Sequence, residues 1–217
     1  MIKNTHPGLF IAFEGLDGSG AEMQASLLRG ILAKEGYRVL LTKEPTNYLI
    51  GGLIRGYLTK EWKTSPESLQ LLFAADRCQH LDREVIPNLE AGKVVISDRY
   101  AFSSISFGSL DCDPLWIEKI NEKFIIPDIT FLVKVRPKIC ALRMKESHYE
   151  MELFKEEQKL IRVWKMYEKL AKKYSNFYII NGERDEMEII QEIVDVVKKE
   201  LGIGKHDRPI KLDRRKK

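Results

Sequence analysis

The feature that most constrains this chain is an alternation of two hydrophobic periods. Short apolar runs rich in branched and aromatic residues recur between longer segments whose apolar residues return every three to four positions. Leu9–Phe13, Arg38–Thr42, Lys93–Ser97, Ile129–Val135 and Phe177–Ile180 read as strands. Met23–Glu35, Pro66–Glu90, Phe154–Tyr174 and Met187–Leu201 read as helices, the last stopped by Gly202 and Gly204. Strands interleaved with helices in this way build a mostly parallel sheet covered on both faces. Ligands of such sheets bind outside the carboxyl ends of the strands. The three most distinctive clusters all follow strands: Gly15–Gly20, Lys43-Glu44-Pro45-Thr46 and Asp98-Arg99-Tyr100. No repeat and no linker interrupts the pattern. Residues 1–203 therefore read as one domain and 204–217 as a flexible basic tail.

Composition narrows the class. The 217 residues are 44% hydrophobic and 31% charged, as in globular proteins and unlike disordered chains. No apolar run approaches the roughly 20 residues that span a bilayer, and the N-terminus lacks a signal-peptide stretch, so a cytoplasmic protein without membrane contact is expected. Cys78, Cys112 and Cys140 form no CxxC pair, which argues against a disulfide framework or a zinc knuckle. There are 36 Lys and Arg against 32 Asp and Glu. Without the tail's seven and two, 29 face 30, so the body is not a nucleic-acid binder; any such contact falls to the tail.

Gly15-Leu-Asp-Gly-Ser-Gly20 lies between the first strand and the first helix. Glycines there let successive N–H groups turn inward around phosphate, and a helix N-terminus adds partial positive charge. The full phosphate-loop pattern is G-x-x-x-x-G-K-[ST]. Gly15 and Gly20 fit it, but Ala21 stands at the lysine and Glu22 at the hydroxyl. On these six residues alone, a plain glycine-rich turn is an equal reading.

Phe13-Glu-Gly-Leu-Asp-Gly-Ser-Gly20, Lys43-Glu-Pro-Thr46, Leu71-Leu-Phe-Ala-Ala-Asp-Arg-Cys-Gln-His80 and Val95-Ile-Ser-Asp-Arg-Tyr100 occur in order between Leu9 and Leu201. Together they strongly resemble the thymidylate kinase family. The resemblance implies a three-layer α/β P-loop fold of the nucleoside monophosphate kinase type, with a five-stranded parallel sheet flanked by helices. It implies transfer of the ATP γ-phosphoryl group to dTMP, with Mg²⁺ as cofactor and commonly a homodimer.

The resemblance also assigns roles. Gly15, Gly18, Ser19 and Gly20 would hold the ATP phosphates. Asp17 would orient the acceptor phosphate, Arg99 would neutralise charge on the transferring group, and Arg143 would reach the phosphates from a lid at about 137–153, with Lys145 and His148 as helpers. Asp98 would hold Mg²⁺ through water. Phe73 would stack on the base, with Arg77 one turn further along the same helix face. Arg55 would grip the acceptor phosphate, and Glu44, Ser104 and Phe107 would line the acceptor pocket with Ser103. Each has a plainer reading: Phe73 as a core residue beside Leu69 and Leu72, Arg77 as a surface partner of Asp76 or Glu84, Asp17 as an Asx turn, Asp98–Arg99 as a structural ion pair. Gly108 stands where many members carry a polar side chain that reads thymine. The altered loop leaves three functions open: an active dTMP kinase, a weak or inactive nucleotide-binding relative, and a kinase with a changed donor or acceptor such as dUMP.

Overall fold

A computed structural model describes residues 1–144 and 150–202, without the side chains of 150–154. Lys145, His148 and the basic tail lie outside the described residues. Five strands form one parallel sheet: β2 (Leu9–Gly15), β3 (Val39–Lys43), β4 (Val94–Asp98), β6 (Ile129–Lys134) and β7 (Phe177–Asn181), in the order β3-β4-β2-β6-β7. Two short segments, β1 (Ile2–Lys3) and β5 (Ile125–Ile126), pair beside it. Around the sheet run α1 (Ala21–Lys34), α2 (Leu49–Leu58), α3 (Pro66–His80), α4 (Ile86–Glu90), α5 (Ala101–Gly108), α6 (Pro114–Ile120), α7 (Pro137–Arg143), α8 (Glu150–Lys173) and α9 (Glu186–Glu200).

The register gathers the three clusters. Phe13 of β2 and Lys43 of β3 both lie opposite Asp98 of β4. Because all strands run parallel, the loops after β2, β3 and β4 leave the sheet at one edge. Side chains alternate across β2 as a strand requires. Ile11 and Phe13 join one buried cluster with Leu28 of α1 and Ile193 of α9, while Phe10 and Ala12 join a second with Leu81, Val85 and Leu89. Helix starts follow local chemistry. Ser65 caps α3 through the Ser68 N–H, with Pro66 as the first helical residue, and Asp185 caps α9 through the Met187 N–H.

The expected helix Pro66–Glu90 is interrupted. α3 ends at His80, Leu81–Val85 form a π-helical turn, and α4 follows. Pro87 has no N–H to close an α-turn, which favours a looser turn just before it. α8 begins four residues earlier than expected, and β2 runs two residues further, to Gly15. Four helices were not among those expected: α2, although its apolar residues Leu49, Leu53, Ile54 and Tyr57 return at helical spacing, and α5, α6 and α7. α5 is buried almost all round, so no polar face marks it. α2 holds Gly51, Gly52 and Gly56, weak helix formers kept helical by tertiary contacts. α6 and α7 are only seven residues each.

Candidate active site

The loop after β2 curls on two glycines. Gly18 and Gly20 adopt left-handed φ of 79° and 86°, and the Ser19 N–H donates to the Leu16 carbonyl at 3.0 Å. Gly20 caps α1, whose N-terminus opens behind the loop. A Cβ on Gly18 would lie 2.9 Å from the Cys140 carbonyl, so α7 rests directly on the loop. From α7, the Arg143 guanidinium donates to the Gly18 carbonyl at 3.1 Å. Ala21 is buried, and Glu22 is exposed in the first turn of α1.

Arg99 ties this loop to the rest of the site. It has a positive φ of 64°, and its N–H donates to the Phe13 carbonyl at 2.9 Å. Its guanidinium donates to the Gly15 carbonyl and to Ser103 Oγ, both at 3.1 Å, and to Asp17 Oδ1 at 2.6 Å. It lies 5.2 Å from the centroid of the Phe107 ring. Burial by itself would lower the Arg99 pKa, but Asp17, Tyr167, Glu14 and Asp98 outweigh that and raise it. The guanidinium is a fixed positive charge facing the loop.

Beneath Arg99 sits Glu14, fully buried at the end of β2. Its carboxylate accepts from the Tyr100 N–H at 3.1 Å, the Ser103 N–H at 3.2 Å and Tyr167 OH at 2.9 Å, and from Ser103 Oγ. Burial pushes its pKa up to about 7, against the opposing pull of Ser103, Arg99 and Tyr167. The sign for stability follows. An unfolded glutamate ionises near 4.5 while the folded one keeps its proton to about 7, so stability falls as pH rises through that interval. The fall amounts to about 3 kcal/mol. Thermal unfolding should show a melting temperature that declines between about pH 5 and 7, and Glu14→Gln should flatten that decline. An unchanged slope in the variant would remove Glu14 as its source.

A cleft of about 330 Å³ opens beside Arg99. Asp17 and Arg99 line it together with Glu44, Phe73, Arg77, Ser104 and Phe107. Phe73 belongs to neither buried cluster, so it faces the cleft rather than completing the core. Arg77 is buried and pairs with Glu44 Oε2 at 2.7 Å, not with Asp76 or Glu84. It also donates to Ser104 Oγ at 2.9 Å and to Asn121 Oδ1, and its guanidinium stacks 5.1 Å from the Tyr100 ring. His80 Nδ1 lies 3.0 Å from Glu44 Oε1, and Asp76 accepts from the Thr46 N–H and hydroxyl at 2.8 and 2.6 Å. These contacts fasten the Glu44-Pro45-Thr46 turn to α3.

Other expected residues lie elsewhere. Arg55 does not line this cleft; its guanidinium donates to the Thr46 carbonyl from α2. Asp98 faces a neighbouring cavity of about 320 Å³ with Glu22, Lys43 and Thr46. Its pKa is raised, first by burial and further by Glu22 and Asp17, while Arg99 and Lys43 oppose the shift. Glu14, Tyr167, Gln70 and Lys159 are further residues at the site, beyond those the family motifs assign. A lone glutamate in an apolar strand is the one clear signal among them, because a buried charge needs partners. Tyr167 and Lys159 come from α8, far along the chain, and only the tertiary fold brings them to the site.

The thymidylate kinase family model matches residues 13–193. A protein of Thermococcus kodakarensis named probable thymidylate kinase is 38% identical over 203 residues, covering 89% of this chain and 99% of its own. The thymidylate kinase of Thermosipho melanesiensis is 32% identical over 194 residues, covering 87% and 97%. The crystal structure of thymidylate kinase from Ehrlichia chaffeensis superposes with a TM-score of 0.71 at 28% identity, covering 88% of this chain and 98% of that one.

Proposed function

The chain belongs to the thymidylate kinase family, and from that premise we propose that it transfers the γ-phosphoryl group of ATP to dTMP, giving dTDP and ADP. One observation carries the reading to particular residues: a single cleft holds Phe73, Arg77, Glu44 and Ser104 together with Asp17 and Arg99, which bind each other and the phosphate loop. Phe73 offers a ring for base stacking, and Arg77, held by Glu44, offers donors beside it. A 5′-phosphate in this cleft lies within the field of Arg99.

Phosphoryl transfer needs positioning and charge neutralisation more than covalent help. An acceptor phosphate oxygen forms a bond to the γ-phosphorus as the bond to the β-bridging oxygen breaks, leaving ADP. The loop N–H groups of Gly18 and Gly20 hold the donor phosphates, Arg143 reaches the same loop from α7, and Arg99 faces the transferring group. Asp17 fixes the direction of Arg99. The family implies Mg²⁺, and the oxygen donors here fit it. Asp98 and Glu22 are hard carboxylates on one cavity, and burial, the first cause of the raised Asp98 pKa, disfavours a carboxylate charge that a bound cation would stabilise. Among the described residues no three His, Cys, Asp or Glu side chains converge on a metal position, so phosphate oxygens and water would complete its shell, as is usual for Mg²⁺. Bound there, the ion would offset phosphate charge.

Among the described residues no helix is long and apolar enough to cross a membrane. We assign the protein to the cytoplasm, where its nucleotide substrates occur, and residues 1–203 to one domain. Leu71, Ala75 and Cys78 form an exposed stripe on α3 that supports a homodimer face.

Purified protein with ATP and Mg²⁺ should convert dTMP to dTDP with equal formation of ADP, tested alongside dUMP, dCMP, dGMP and dAMP. No turnover with any acceptor, while dTMP still raises the melting temperature, would leave a binding protein without kinase activity.

A further inference from the structure

Three residues of α3, Gln70, Phe73 and Arg77, are spaced i, i+3 and i+7, and all line the cleft. Gln70 is 6% exposed, and its amide oxygen has no hydrogen-bond partner among the described residues. A buried acceptor left unpaired is costly unless something in the functional state meets it. Packed against it on the cleft wall is Gly108, the last residue of α5. A Cβ built on Gly108 would lie 2.8 Å from Gln70 Cδ and 2.9 Å from its Nε2. The Gln70 amide therefore occupies the space into which a side chain at position 108 would project.

We propose that Gln70 reads the edge of the acceptor base, supplying from α3 the polar group that α5 lacks at Gly108. This rests on the acceptor reading of the cleft given above. The amide carries one acceptor and two donors on one plane. A pyrimidine 2,4-dione presents N3–H flanked by two carbonyl oxygens, so Gln70 accepts from N3–H and donates to a neighbouring carbonyl while the ring stacks on Phe73. Arg77, one turn beyond Phe73, carries donors only. Its Nε is buried and unpartnered, and it suits a carbonyl and repels the exocyclic amino group of cytosine. The site thus selects thymine or uracil over cytosine through two residues of one helix.

The test is calorimetric titration of wild type and Gln70→Leu with dTMP and with dCMP, which reads binding whether or not turnover occurs. Leucine keeps the volume and removes the amide. The expected result is a loss of dTMP affinity of about ten- to a hundredfold, little change for dCMP, and a dTMP-to-dCMP preference that collapses by at least about tenfold. Circular dichroism confirms folding. Should Gln70→Leu fail to fold, Gln70→Ala with Gly108→Asn replaces it. There the position-108 side chain gains room, only the flexible end of Ile117 must shift, and the preference should return relative to Gln70→Ala alone. A folded variant that keeps the wild-type preference overturns the role of Gln70. Wild type that binds neither nucleotide removes the acceptor reading itself, and the proposal with it.

Discussion

Arg99→Met should lower kcat for dTMP phosphorylation by about 10³-fold, with dTMP affinity changed by no more than about threefold. A positioned arginine at a transferring phosphoryl group is worth about 10³ or more in rate, roughly 4 kcal/mol of barrier. Arg99 has the fixity such a role needs: the Gly15 carbonyl, Ser103 Oγ and Asp17 hold three directions of the guanidinium, and the backbone at φ 64° aims it. The variant should stay folded. Asp17 is half exposed, so losing that ion pair costs little. Glu14, which also feels Arg99, already has a pKa of about 7 and can retain its proton. Steady-state kinetics with a separate binding titration separates rate from affinity. A loss seen mainly as raised KM would make Arg99 an acceptor-binding group instead.

The second large effect is a gain. Ala21→Lys with Glu22→Thr should raise kcat by about 10²-fold, the usual worth of one preorganised electrostatic donor. The backbone needs no rebuilding, since Gly18 and Gly20 already turn left-handed and α1 already begins at Ala21. Lysine would place a charge on the donor phosphates, and threonine would supply the hydroxyl of the full pattern. Removing Glu22 also relieves Asp98, whose pKa it helps to raise. The Asp98 pKa should then fall, and the acid limb of the kcat profile should move to lower pH. An unchanged kcat would show that another cation already replaces the lysine. Lys43, across the sheet from Asp98, and Lys159, on the cleft wall, are the first to substitute in that event.

Much of the framework was legible because its signals are local. The period-2 runs that became the five strands sit within about two residues of their observed ends, and the clusters after β2, β3 and β4 lie at one end of the sheet, because parallel strands with helical crossovers must place those loops together. Phe73 and Arg77 could be placed on one helix face by spacing alone. The π-turn before Pro87 and the fully buried helix α5 were not legible, since neither leaves a periodic trace.

The alternating α/β order, the family motifs and the presence of Ala21 and Glu22 after Gly20 are all matters of residue identity and spacing along the chain. It took the packing of the elements to set Arg77 against Glu44, to bury Glu14 under Arg99 with Tyr167 from α8, to turn Arg55 to the Thr46 carbonyl, and to fill the space at Gly108 with Gln70. These contacts join residues up to 153 positions apart. Their energies depend on burial and on which partner arrives from another element, and neither quantity exists until the layers have packed.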